Sequence, residues 1–219
     1  MSEHPVVGQV RAHRIVPVLV IPDAADAPAL GRILAAGGLP IAEVTLRTPT
    51  AFEAIRSMAA EGVCLVGAGT VTTPAQVEQA KDAGAAFVVS PGLSAAVVAE
   101  CRALDLPVIP GIASATELQH AIELGLSLVK LFPAQIVGGP AAIRALSGPF
   151  PQISFLPTGG VTAANLGDYL TLSSVAAVGG SWMIDAQALA ARDWPAMQLA
   201  VAAAVAAADA VRPRAGVTP

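Results

Sequence analysis

Three charged residues sit in stretches that read as buried strands: Glu43, Arg47 and Lys130. The lysine is the most telling, because the chain has only two. Lys81 lies in the polar run Gln76-Val77-Glu78-Gln79-Ala80-Lys81-Asp82, where a solvated helix face accounts for it. Lys130 lies in Ser127-Leu128-Val129-Lys130-Leu131-Phe132-Pro133, a short apolar run with strand character. An ammonium there must be paired, carried to the surface, or neutralised through a lowered pKa. A neutral amine near pH 7 condenses with carbonyls to a Schiff base. The plain alternative is an edge-strand lysine placed against aggregation.

In Ile41-Ala42-Glu43-Val44-Thr45-Leu46-Arg47 the strand period of two puts Glu43, Thr45 and Arg47 on one face, with Val44 and Leu46 on the other. The same period puts Leu128 and Lys130 on a common face. Arg47 can hold a carboxylate through a two-pronged hydrogen bond. Its charge, like apolar walls, would lower the Lys130 pKa. A free lysine near 10.4 must come down to about 7–8 to serve as a nucleophile near neutrality. Glu43 is then the proton shuttle beside a carbinolamine and an enamine. An amine, a carboxyl proton carrier and a carboxylate clamp are what 2-oxo-acid aldol chemistry requires. The competing account is a structural ion pair between Glu43 and Arg47.

These residues need strands to aim them. Short β-branched runs alternate with Ala/Leu-rich helical stretches, which indicates repeated βα units. Strands are expected near 15–20, 40–46, 63–67, 86–89, 107–109, 127–131, 153–156 and 174–178. Eight such units imply an α/β fold with a parallel sheet, closed as a (β/α)8 TIM barrel. An open doubly wound sheet is the rival. It usually carries a Gly-rich first turn, whereas the first turn here is Pro22-Asp23-Ala24-Ala25. Thr48-Pro49, Thr73-Pro74 and Gly139-Pro140 place proline at a first helical position. Ser94, Ser114 and Thr162 are candidate N-caps, and Ser114 with Glu117 has capping-box spacing. We expect a single barrel domain over 1–219. Residues 1–14 form an N-terminal extension or helix, of which 1–8 look frayed, and 212–219 form a C-terminal tail. A last alanine-rich helix near 195–210 packs outside the barrel.

Bulk properties exclude several classes. The 219 residues carry a net charge of −4 and no basic block, against nucleic acid as a partner. The chain is 54% hydrophobic, but its longest clean apolar runs fall short of the roughly 18–20 residues of a spanning helix. The segment Ile15 to Ile21 after Arg11 and Arg14 fits a first strand better than a signal peptide. Cys64 and Cys101 have no metal spacing and read as core. His4, His13 and His120 form no dyad or metal cluster. We therefore expect no metal, no cofactor and no membrane partner.

Glycines mark the ends of the later strands. Pro157-Thr158-Gly159-Gly160 follows strand seven and Gly179-Gly180-Ser181 follows strand eight, where backbone amides and the Ser181 hydroxyl can cradle a phosphate. Tight turns are the alternative for each pair. Gly67-Ala68-Gly69-Thr70, after strand three, adds a hydroxyl at the mouth. Ser90-Pro91-Gly92 and Pro110-Gly111 read first as turns, with mouth-lining second.

Taken in order, Glu43-Val44-Thr45-Leu46-Arg47-Thr48-Pro49, Gly67-Ala68-Gly69-Thr70-Val71, Ser90-Pro91-Gly92, Val108-Ile109-Pro110-Gly111, Lys130-Leu131-Phe132-Pro133-Ala134, Pro157-Thr158-Gly159-Gly160-Val161 and Gly179-Gly180-Ser181-Trp182 are specific. The chain resembles the 2-keto-3-deoxy-6-phosphogluconate (KDPG) aldolases, also called 4-hydroxy-2-oxoglutarate (KHG) aldolases, from about Val16 past Trp182. The resemblance implies a metal-free, trimeric, cytoplasmic class I aldolase on a (β/α)8 barrel, acting in the Entner–Doudoroff route. It implies that Lys130 forms the pyruvate Schiff base and Glu43 moves protons. Arg47 and Thr70 would bind the pyruvate carboxylate, with Thr158 and Pro91 bordering the pocket and Phe132 packing on the pyruvyl group. Gly159, Gly160, Gly179, Gly180 and Ser181 would hold the phosphate.

One segment departs from the family pattern. Gln135-Ile136-Val137 stands where a Glu-containing stretch is expected, which bears on substrate breadth. The Thr-Leu-Arg-Thr-Pro form favours the gluconate over the galactonate type. A sugar-phosphate epimerase or thiazole-type synthase is the rival enzyme, but an epimerase would want metal-binding His and Asp at strand ends. A non-catalytic phosphate-binding barrel is the remaining alternative.

Overall fold

A computed structural model describes residues 4–211. Its elements run α1 (Pro5–His13), β1 (Ile15–Leu19), α2 (Ala27–Ala36), β2 (Ile41–Thr45), α3 (Ala51–Ala60), β3 (Leu65–Gly69), α4 (Pro74–Asp82), β4 (Phe87–Val89) and α5 (Ala95–Ala103). They continue β5 (Val108–Ile109), β6 (Gly111–Ile112), α6 (Ala115–Glu123), β7 (Leu128–Leu131), α7 (Gly139–Ser147), β8 (Ser154–Pro157), α8 (Leu166–Leu170), β9 (Val178–Gly180), α9 (Ala186–Ala190) and α10 (Trp194–Val211).

The strands pair in parallel as β5-β4-β3-β2-β1-β9 and as β6-β7-β8. β5 and β6 are two halves of one fifth barrel strand, parted at Pro110. Bridges Phe155↔Val175 and Thr158↔Gly179 join β8 to the β9 segment and close the ring. Eight barrel strands result, as the alternating pattern predicts. The first strand, β1, pairs with the last, β9, and β9 bridges back to β8, so the run of strands returns on itself, which rules out the open sheet.

Several local expectations change. β3 runs to Gly69, so Gly67-Ala68-Gly69 lies in the strand rather than after it. The eighth strand is Val178–Gly180, not 174–178, so Gly179 and Gly180 are strand residues. Backbone pairing holds it: the Val178 amide donates to the Arg14 carbonyl at 2.8 Å. Gly111 opens β6 and is no turn. Arg47 and Pro49 lie in a turn, and α3 starts only at Ala51. The Thr48 hydroxyl donates to Ile21 O at 2.9 Å, folding that turn over the barrel mouth. Pro140 falls second in α7, behind Gly139.

The caps are partly as read. Ser94 Oγ accepts from Val97 N, and Ser114 Oγ from Glu117 N at 3.3 Å. Glu117 reaches back to Ala113 N rather than to Ser114 N. The complete capping box is at Thr73 and Gln76. Thr162 is not a cap, because Asn165 is the residue preceding α8 and Thr162 O receives the Asn165 and Leu166 amides.

Residues 5–8 belong to α1, which buries Val6 and Val10, so they are not frayed. Residues 1–3 and the tail 212–219 lie outside the described residues. Helix α10, with 18 residues and mean hydropathy 1.4, is long and apolar enough by composition to cross a membrane, longer than the apolar runs suggest. It buries Met197, Val201, Ala204 and Ala208 at helical spacing. It lies against α2, where Val201 occupies the space a Cβ on Gly37 would need.

Candidate active site

β2 and β7 stand on opposite sides of the ring, four strands apart in either direction. Glu43 from β2 and Lys130 from β7 meet across the lumen. Lys130 Nζ donates to Glu43 Oε1 at 3.0 Å and to Oε2 at 3.3 Å. Glu43 is fully buried and Lys130 is 5% exposed. Of the ways to keep an ammonium in an apolar strand, the fold uses pairing. β7 has a neighbour on each side, so the edge-strand account of Lys130 fails. The Glu43–Arg47 structural pair does not form, since Glu43 is committed to Lys130. The Lys130 ammonium also sits 5.3 Å from the Phe132 ring centroid, within cation–π range.

Glycine makes room for this pair. Gly69 lies beside Thr45 in the β2–β3 register, and a Cβ there would run into the Glu43 carboxylate. Two strands away, a Cβ on Gly111 would run into the Pro91 carbonyl, so the Pro91 turn can lean on β6 only over glycine. Ser90 Oγ donates to Gly92 O at 2.8 Å and braces that turn. Thr45 Oγ1 donates to Leu19 O at 2.8 Å and locks β2 to β1.

The pair opens into a cavity of about 260 Å³. Glu43, Arg47, Thr70, Pro91, Lys130, Phe132, Thr158, Gly159, Gly160, Gly180 and Ser181 all line it. These are eleven of the twelve residues singled out from the sequence. Gly179 is the exception: the Thr158 side chain fills the place its Cβ would take, so it seats Thr158 instead. Arg47 reaches the cavity from its turn and forms no ion pair with a described carboxylate, so its guanidinium is available to a ligand. Thr70 holds φ 61°, a strained setting for a β-branched residue and one that clusters at functional sites.

Thr45 lines the cavity beside Glu43, on the face that strand period gave both, whereas sequence reasoning missed Val18 and Val161 as lining residues. The cross-strand register of Val18 with Glu43 would have pointed to the first, but register is not visible in one strand. The short helix after the eighth strand, a common phosphate seat in barrels, is closed here: Asp185 Oδ1 accepts from Gln187 N and Ala188 N, both at 2.9 Å. The glycine-rich strand ends Gly159-Gly160 and Gly180-Ser181, by contrast, face the cavity. Burial pushes both thiols, Cys64 and Cys101, up to about 12, aided at Cys101 by Glu100. Neither lines the cavity, and both are inert packing groups.

The family model for KDPG and KHG aldolase matches residues 6–200. The chain belongs to this aldolase family. Among curated relatives of the aldolase, the 2-dehydro-3-deoxy-phosphogluconate aldolase of Treponema pallidum is 48% identical over 182 residues, covering 83% of this chain and 87% of the relative. Among solved structures, KDPG aldolase of Legionella pneumophila, with pyruvate captured as a covalent carbinolamine, superposes with TM-score 0.87 at 40% identity, over 90% of this chain and 97% of that one. The Zymomonas mobilis ZM4 enzyme with 3-phosphoglycerate matches with TM-score 0.87 at 39% identity, over 91% and 95%.

Proposed function

We propose that this aldolase cleaves 2-dehydro-3-deoxy-6-phosphogluconate to pyruvate and glyceraldehyde 3-phosphate, and 4-hydroxy-2-oxoglutarate to pyruvate and glyoxylate. The observation that carries the reading is the buried Lys130–Glu43 pair at the floor of a cavity with a free guanidinium at its rim. Arg47 and the Thr70 hydroxyl take the substrate carboxylate, which presents the C2 carbonyl to Lys130. Transfer of an ammonium proton to Glu43 leaves a neutral amine and a neutral acid, so no isolated charge is stranded in the buried site. The amine adds to C2 to give a carbinolamine, Glu43 returns the proton, and water leaves to form the iminium.

Glu43, again a carboxylate, then takes the proton of the C4 hydroxyl. The C3–C4 bond breaks, its electrons pass into the iminium, and the aldehyde departs from an enamine. Protonation at C3 and hydrolysis release pyruvate and the amine. Phe132 keeps water from one face of the pyruvyl group. Gly159, Gly160, Gly180 and Ser181 hold the phosphate of the longer substrate, with Thr158 and Pro91 shaping the wall and Gly179 acting through Thr158. The phosphorylated ligand in the Zymomonas relative supports that end of the reading.

The test is trapping. Pyruvate plus borohydride should leave a reduced adduct on Lys130, located by mass spectrometry, and Lys130→Ala should lose about 10⁴-fold or more in turnover. A folded protein without the adduct would sink the aldolase reading and favour a non-catalytic phosphate-binding barrel. The resemblance further supports a cytoplasmic homotrimer, which light scattering of the purified protein would check.

A further inference from the structure

The anion-binding end has a second layer that the chemistry above does not use. The Gly159 carbonyl accepts the Gln135 amide at 3.0 Å. The Gly160 carbonyl accepts Asn165 Nδ2 at 2.9 Å. Both glycines hold positive φ, 97° and 83°. In a trans peptide the N–H points opposite to its carbonyl. Pinning these two carbonyls on the outside therefore turns the next amides, of Gly160 and Val161, toward the cavity that both residues line. Neither amide donates to another described residue. Asn165 is fixed in turn, because its Oδ1 accepts Thr162 N at 2.8 Å. That contact sets which way the amide faces and leaves Nδ2 for Gly160.

We infer that Asn165 is a positioning residue for phosphate recognition: it holds the Gly160–Val161 peptide so that its N–H meets the phosphate. The inference rests on the phosphate reading of this loop given above. Asn165 touches neither the imine nor the pyruvate end, so its loss separates the two halves of the substrate. The other pin is the Gln135 main chain, which no side-chain change removes. Tyr169 OH donates to Gln135 Oε1 at 3.1 Å and steadies it.

The test compares the two substrates. In Asn165→Ala the KM for 2-dehydro-3-deoxy-6-phosphogluconate and the inhibition constant of inorganic phosphate should both rise about tenfold, the effect of one lost hydrogen bond on binding. For 4-hydroxy-2-oxoglutarate, which lacks a phosphate, kcat/KM should stay within about twofold, as should pyruvate trapping at Lys130. Asn165→Asp keeps the acceptor for Thr162 N, loses the donor and adds a negative charge. It should fold with an unchanged melting temperature and weaken phosphate further, so it decides the matter if the alanine variant does not fold. Unchanged phosphate affinity in a folded variant overturns the inference, and so does an equal loss on both substrates. If wild-type enzyme is insensitive to inorganic phosphate and shows no preference for the phosphorylated substrate, the phosphate reading itself fails, before any variant is made.

Discussion

A lysine is legible as a nucleophile when everything around it is apolar, and Lys130 was visible for that reason. Glu43 followed from strand period, whereas Arg47 reaches the same cavity from the turn beyond β2, where that period no longer applies. The partner of Glu43 did not follow: it comes from β7, far along the chain. Less legible are residues that act by being small. Gly69 looks like any glycine near a strand end, yet the Glu43 carboxylate occupies the space its side chain would need. Gly69→Ala should push the carboxylate off Lys130 by about 1 Å and cost about 10²-fold in kcat. The fold should survive, as judged by melting temperature. Full turnover in a folded Gly69→Ala protein would mean that Glu43 adapts, and that catalysis does not depend on its close placement against Gly69. Asn165 was equally hidden, since its side chain matters only through one carbonyl five residues earlier.

At the scale of elements, the alternation of β-branched and alanine-rich runs located the βα units, because period and branching are local properties. It failed where strands are made of glycine and proline. The fifth strand breaks at Pro110, which has no N–H to give to the ladder. The eighth carries Gly179 and Gly180 and is held by main-chain bonds to β1, which leave no side-chain signature. Strand positions that depend on close approach should be intolerant of even one methyl. Gly111→Ala must displace the Pro91 backbone and should cost about 1–3 kcal/mol. It should also raise KM, because Pro91 borders the cavity. A urea midpoint equal to that of the wild type would show that the Pro91 turn can move freely away from β6.

Across the whole molecule, stability and chemistry occupy opposite ends of the barrel. At the end away from the cavity, the buried Arg14 guanidinium binds the Asp209 carboxylate and the Ala208 carbonyl, at 2.7 Å for the latter, and so ties the start of β1 to α10. Asp209→Ala should destabilise by about 2 kcal/mol and leave kcat unchanged. A matching loss of turnover at full folding would show that the two ends are coupled. The Arg14–Asp209 contact could not be read from sequence, since it joins residues near the two ends of the chain.

The reach of the Lys130–Glu43 pair across the ring divides the chemistry between two halves of the gene product. A cut in the exposed turn at Asp105 would leave Glu43, Arg47, Thr70 and Pro91 on one fragment. Lys130, Phe132 and both glycine loops would be on the other. On the function proposed above, one fragment would own the carboxylate clamp and the proton carrier, the other the nucleophile and the phosphate seat. Neither could turn over substrate alone. Co-expressed halves would regain activity only by reassembling the full circle of strands, which makes pyruvate release a colorimetric reporter of fragment complementation.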